Sequence, residues 1–227
     1  MIEPRTGNTL SSHSSEAIGL YNEAIDLILG SQSGAAAALD KALEFDGRFA
    51  LAAAARYFLA KDNGGDDAGR YRSLAKDPAA AASEWEREHI DILLGLIDDA
   101  SNTVDKARAY IQTAPGDLFV VSQLAGYLFF YGGPDKLNAV LDLFESVGPY
   151  LENDWAYLAR LGFAASEAGD RKRGRELVER ALSLRPQSLY TIHAFAHLLH
   201  DEGAAEESTR VLQQWLADHE NGAREGQ

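Results

Sequence analysis

The sequence predicts an all-α fold built from about six antiparallel helical hairpins, and three observations point to it. Alanine, leucine, glutamate and arginine dominate windows in which apolar residues recur three and four apart, the period of an amphipathic helix. Strand-type alternation is scarce. Turn and helix-stop residues fall at regular intervals: residues 30–34, Asp46-Gly47, Asn63-Gly64-Gly65, Asp77-Pro78, residues 99–102, Pro115-Gly116, Gly132-Gly133-Pro134, Gly148-Pro149, Gly169-Asp170, Arg185-Pro186 and Gly203. They cut the chain into about twelve helices of roughly 10–16 residues, an ordinary length.

Residues 1–15 read as an N-terminal extension, 16–219 as a helical repeat domain and 220–227 as a tail. The first two hairpins span about 16–47 and 48–82, marked by the stretch AAAALDKALEFDGRF. The next opens at SEWE, where Ser83 and Glu86 have the spacing of a capping box. Pro115 and Pro149 lie 34 residues apart and Pro186 follows 37 later, each expected to stop the second helix of a hairpin.

Taking residue 155 as the first of a 34-residue unit places Leu158, Leu161, Gly162, Ala165, Gly174, Val178, Ala181 and Pro186 at positions 4, 7, 8, 11, 20, 24, 27 and 32. These are the signature positions of a tetratricopeptide repeat, in which small residues at 8 and 20 let the two helices approach. The unit from 118 fits through Val121, Leu124, Ala125, Leu128, Leu141, Phe144 and Pro149, with a bulky Leu137 at position 20. The unit from 189 fits through Ile192, Phe195, Ala196, Leu199, Ser208, Leu212 and Trp215, without the proline. The unit from 84 departs at position 8, which is Asp91. One hairpin cannot bury its apolar face alone, whereas stacked hairpins share a core and wind into a superhelix with a concave groove. The expected architecture is therefore a tetratricopeptide-like superhelix.

Composition bounds the partners. With 227 residues, 46% hydrophobic and 25% charged, the chain can bury a continuous core. A formal net charge of −14 disfavours nucleic acid and anionic membrane, because both are repelled. It leaves a basic peptide, a cation or a neutral ligand. The absence of cysteine excludes disulfides, thiolate zinc sites and cysteine nucleophiles. The opening MIEPRTGNTLSS carries no apolar segment of signal type. The most apolar stretch, LFVVSQLAGYLFFYGG, is interrupted by Ser122, Gln123 and Gly126, and falls short of the ~18–20 apolar residues of a spanning helix. A cytoplasmic location is the expectation.

Four segments, GNTLSSHSSEAIGLYNEAIDLIL, KALEFDGRFALAAAARYFLA, ASEWEREHIDIL and SLYTIHAFAHLLHDEGAAEES, resemble tetratricopeptide repeat protein 38-like proteins in the same order along the chain. The resemblance covers most of the sequence and implies the same helical-repeat fold. It implies no particular activity. Asp46-Gly47 stands where that family often has Asp-Pro. Family members commonly run to about twice this length, so the chain is expected to be a short relative or a fragment.

The candidate site follows from the repeat register. In such arrays the first helix of each hairpin lines the groove through positions 2, 5, 9, 12 and 13. The unit from 189 then presents Tyr190, His193, His197, His200 and Asp201. The unit from 118 presents Phe119, Ser122, Gly126, Phe129 and Phe130; the unit from 155 presents Ala156, Ala159, Phe163, Ser166 and Glu167; the unit from 84 presents Trp85, Glu88, Ile92, Gly95 and Leu96. Apolar walls with a few convergent polar groups suit a small ligand or a peptide.

The binding or scaffold reading leads, with a peptide, protein segment or small molecule as partner. The alternative is an enzyme using a histidine-lined pocket for acid–base or metal-assisted chemistry. His193 and His197 have the i, i+4 spacing of helical zinc ligands, but no HExxH motif is present, because 194 and 195 are Ala and Phe. No metal or cofactor is assigned. His89 reads as a structural hydrogen-bonding group, Trp155 and Trp215 as packing, and DRKRGRELVER as a solvated face with a Glu176–Arg180 pair. Exposed repeat ends offer a route to self-association.

Overall fold

A computed structural model describes residues 7–62, 64, 67–77 and 82–219. The expected tail at 220–227 lies outside them, as do Asn63, Gly65 and Pro78 of the expected turns. The described residues form twelve helices and no strand: α1 (Ser15–Leu29), α2 (Ala35–Phe45), α3 (Ala50–Asp62), α4 (Ala68–Lys76), α5 (Glu84–Asp98), α6 (Ala100–Thr113), α7 (Leu118–Tyr131), α8 (Lys136–Leu151), α9 (Trp155–Glu167), α10 (Arg171–Leu184), α11 (Leu189–Asp201) and α12 (Ala205–His219). Helix α3 pairs with α4, α5 with α6, α9 with α10 and α11 with α12, as the hairpins of a tetratricopeptide-like fold require. The chain divides into two compact units: Met1–Asp26 with Gly34–Leu124, and Leu27–Ser33 with Ala125–Gln227.

In the first unit α3 packs against α2, α4 and α5. Being surrounded, its first half has no polar face: residues 50–55 are all buried, and five of those six are alanine. The small side chains let three neighbours close around it. Ser83 and Glu86 form the expected capping box at the start of α5. Glu86 does more than cap. Its fully buried carboxylate accepts from the Ser83 amide (2.6 Å) and from the Ser11 amide (2.8 Å), tying the N-terminal extension to α5. Ser12 Oγ donates to Asp46 at 2.7 Å, a second tie. The α5–α6 turn is tighter than expected, with Asp99 alone between the helices and Asn102 already helical. Asp99 accepts from Asn102 Nδ2 across the first turn of α6 (2.8 Å).

In the second unit the register positions hold. Leu158, Leu161, Ala165, Val178 and Ala181 are all buried between α9 and α10. Gly162 and Gly174 lie face to face: a Cβ on Gly162 would sit 2.8 Å from the Gly174 carbonyl oxygen, and one on Gly174 2.7 Å from that of Gly162. Asp154, Asp170 and Ser188 cap α9, α10 and α11 by accepting backbone N–H groups. Pro149 does not stop its helix as expected; α8 runs on to Leu151. So close to the C-terminus, the missing N–H removes only one bond at the end of the ladder.

The turn after α1 also belongs to the second unit. It closes with Ser31 in the left-handed region (φ 53°) and with the Gln32 amide donating back to the Leu27 carbonyl at 2.8 Å. Arg160 of α9, buried, donates to its own helix at the Ala156 carbonyl (3.1 Å) and to the Leu29 carbonyl (2.9 Å). The Tyr190 amide donates to the Gly30 carbonyl at 3.0 Å, satisfying one of the orphan N–H groups at the start of α11.

Candidate binding surface

Helix α11 turns Thr191, Ile192, Ala194, Ala196, Leu198 and Leu199 inward. His193, His197 and His200 are exposed. The His193 and His197 rings stack, with centroids 4.7 Å apart and planes 21° apart. Burial first, and the neighbouring His197 second, hold His193 below the ordinary imidazole range. At neutral pH the His193 ring therefore favours its uncharged form, with one donor and one acceptor nitrogen.

The rings continue across the neighbouring helices. Phe163 of α9 meets His197 edge-on at 5.6 Å, and Phe129 of α7 lies 6.2 Å from Phe163. Phe130 packs edge-on to Phe129 at 5.3 Å and is itself 71% exposed. The Lys136 ammonium stands 5.3 Å from the Phe129 ring centre. A ladder of rings thus crosses the first helices of three successive hairpins, with one edge open to solvent. Beside its histidine end lies a shallow hollow of about 330 Å³, lined by His193, Ala196, His197, His200, Ser208 and Leu212.

Other sequence-expected site residues stand elsewhere. Tyr190 is half-buried beneath the Arg160 guanidinium, 4.1 Å from its ring centre. Asp201 approaches His200 Nδ1 at 3.6 Å, outside hydrogen-bonding distance. Phe119 is buried against Phe58 (5.3 Å) and His89 (6.3 Å), so it packs rather than faces solvent. Ser122 Oγ turns back to the Leu118 carbonyl (2.7 Å). The Trp85 indole donates to the Thr9 carbonyl at 3.3 Å. Glu88 is exposed, while Ala156, Ala159 and Ser166 are buried. Glu176 pairs with Lys172 at 4.0 Å; Arg180 instead donates to Asn153 at 2.6 Å.

The structure also assembles a group that the register did not mark. His89 Nδ1 lies 2.5 Å from Asp117 Oδ2, and the Tyr110 hydroxyl donates to the same oxygen at 2.6 Å. Asp117 Oδ1 accepts from the Val120 amide (3.2 Å), capping α7. Burial alone would raise Asp117. The positive charge that His89 can carry, with hydrogen bonds from His89, Tyr110 and Val120, holds its carboxyl below the usual range instead. All three side chains are almost fully buried. A buried Asp–His pair resembles an acid–base dyad, but Trp85 and Phe119 pack on the imidazole. The geometry is that of a brace joining α5 and α6 to the start of α7. Asp117 is recognisable beforehand only as a capping residue ahead of an apolar helix.

Among the described residues no group of three His, Asp or Glu side chains is placed to hold a metal ion. No helix there is long and apolar enough to cross a membrane.

No protein-family model matches the chain, and no curated protein does. Among solved structures, the chain is similar to YrrB, a tetratricopeptide repeat protein described as having an unusual peptide-binding site, at 21% identity and a TM-score of 0.37, over 78% of this chain and 91% of that one.

Proposed function

We propose that this chain is a binding module whose second unit holds a peptide or protein segment along the ladder Phe129–Phe163–His197–His193. The single observation that supports this reading is the ladder itself. It crosses three hairpins, its rings are only partly covered, and Phe130 extends it into solvent. Aromatic faces offer large contact area at low side-chain entropy cost, as binding surfaces require. The His193 and His197 rings add hydrogen-bonding nitrogens, and the net charge of −14 favours a neutral or basic segment over an acidic one. The enzyme reading is weaker on geometry: the hollow beside the histidines is shallow, and the His89–Asp117 pair is enclosed by packing rings. A cytoplasmic setting and kinship with tetratricopeptide repeat protein 38-like proteins belong to the same proposal.

Selection from a random peptide library on the immobilised protein tests it. The selected peptides should bind Phe130→Ser and Phe163→Ala at least tenfold more weakly, with helicity unchanged. Peptides that bind both variants as well as the parent would exclude the ladder as the contact surface.

A further inference from the structure

The two most exposed large apolar side chains among the described residues are neighbours, Phe130 at 71% and Tyr131 at 73%, at the end of α7. Four of the five residues 127–131 are aromatic. Their rings form a belt that carries the ladder onward. Tyr127 lies 5.2 Å from Tyr131, Tyr131 6.4 Å from Phe130, Phe130 5.3 Å from Phe129, and Phe129 6.2 Å from Phe163. A contiguous exposed apolar patch marks a contact surface. The polar groups on this belt bring donors: the Tyr127 and Tyr131 hydroxyls, and the Lys136 ammonium 5.3 Å from the Phe129 ring centre. Among the described residues no acceptor engages them. Glu167 stands four residues after Phe163, on the same face of α9. It is half-buried, and among the described residues no cation or donor reaches its carboxylate.

We infer that the belt holds a proline-rich segment in the polyproline II conformation, with lysine or arginine beside the prolines. The common ways of holding a peptide differ in what they demand. Strand addition needs a free sheet edge, and the described residues contain no strand. A docked helix needs a groove that buries one of its faces, whereas Phe130 and Tyr131 project from a helix end. A polyproline II helix needs flat rings for its pyrrolidines. It also needs donors for its carbonyls, because it has no internal hydrogen bonds and its prolines carry no N–H. The belt supplies both. Such a segment is stiff before it binds, so an open surface holds it at little cost in chain entropy. Charge sets the flank. The unpaired Glu167 carboxylate answers a lysine or arginine of the ligand, and the net charge of −14 steers the same sign. The inference rests on the binding-module reading and names the class of segment that the ladder takes.

The test uses three short labelled peptides, measured by fluorescence anisotropy on the full chain: a proline run flanked by lysine, the same run flanked by glutamate, and a glycine–serine run flanked by lysine. The lysine-flanked proline peptide should bind at least tenfold more tightly than either of the others. Alanine replacing single prolines should weaken it with a three-residue period, that of the polyproline II helix. Tyr131→Ser, at an exposed position, should weaken it at least tenfold with helicity unchanged. Glu167→Lys should shift preference toward the glutamate-flanked peptide, a reversal that misfolding cannot produce. Equal binding of the proline and glycine–serine peptides, binding indifferent to Tyr131→Ser, or a charge preference unmoved by Glu167→Lys overturns the proposal. So does self-association in light scattering that Tyr131→Ser abolishes, which would make a second copy the occupant. Library peptides without proline that still require Phe130, while the proline peptides do not bind, would sink this inference and leave the binding-module reading standing.

Discussion

At the scale of single residues, the Asp117 carboxylate has the clearest energetic role. Three donors meet it in a site with almost no water. Replacing it with asparagine strips the charge from a buried, hydrogen-bonded pair, which costs about 3–5 kcal/mol. Urea denaturation should show that loss in Asp117→Asn, whereas the exposed Glu88→Gln should change stability little. The pH dependence follows from the direction of the shift. A carboxyl held low in the folded state stabilises above its unfolded pKa near ~4 and loses that contribution as pH falls through the folded value. The parent protein should lose stability on acidification below about pH 4 more steeply than Asp117→Asn. His193 has the opposite chemistry and a different window. Its folded pKa lies below the unfolded value of about 6.5, so stability falls as pH drops through that value. His197→Gln, which removes the like-charged neighbour, should flatten denaturation midpoints measured between about pH 7 and 5.

At the scale of elements, the glycines divide by what surrounds them. Gly162 and Gly174 touch backbone at the α9–α10 crossing, so a side chain there forces the helices apart. Gly162→Ala should destabilise by about 1–3 kcal/mol, as overpacking does. Gly126, inside α7, has open space where its Cβ would point. Gly126→Ala should raise stability by about 0.5–1 kcal/mol, because only the backbone entropy of glycine is removed. Thermal melts of the two variants should move in opposite directions. Gly162 and Gly174 were legible from the sequence, since the 34-residue period puts small residues where two helices must meet. The Ser83–Glu86 capping box was legible for the same reason, its signal being local. Glu86 also holding the Ser11 amide was not, because its partner lies 75 residues away. Nor was Asp117 beside His89: they fall at positions 34 and 6 of the unit from 84, neither of them a signature position, and lie 28 residues apart. For Phe119 the register supplied a groove position, yet Phe58 and His89 close over it.

At the scale of the whole molecule, the repeat order in sequence is not the order of the compact units. Residues 27–33 belong with 125–227, although about ninety residues separate them. No periodicity marks this, because the attachment consists of main-chain carbonyls that any sequence supplies. What recognises them is specific: one buried guanidinium and one helix N-terminal amide. Arg160 bridges the Ala156 and Leu29 carbonyls and covers the Tyr190 ring, while the Tyr190 amide holds Gly30. The turn therefore lies against positions that the register assigned to the groove, which leaves the ring ladder beyond Arg160 as the open part. Arg160→Ala removes both bonds and leaves the Leu29 carbonyl without its donor, at a cost of about 1–3 kcal/mol. The loss should be local before it is global. Amide exchange at Tyr190 should accelerate at least tenfold, while exchange at Leu93, in the core of the other unit, stays as in the parent. Equal acceleration at both amides would mean that Arg160 supports the fold at large rather than anchoring this turn. Unchanged exchange at Tyr190 would mean that the turn is held by something other than Arg160.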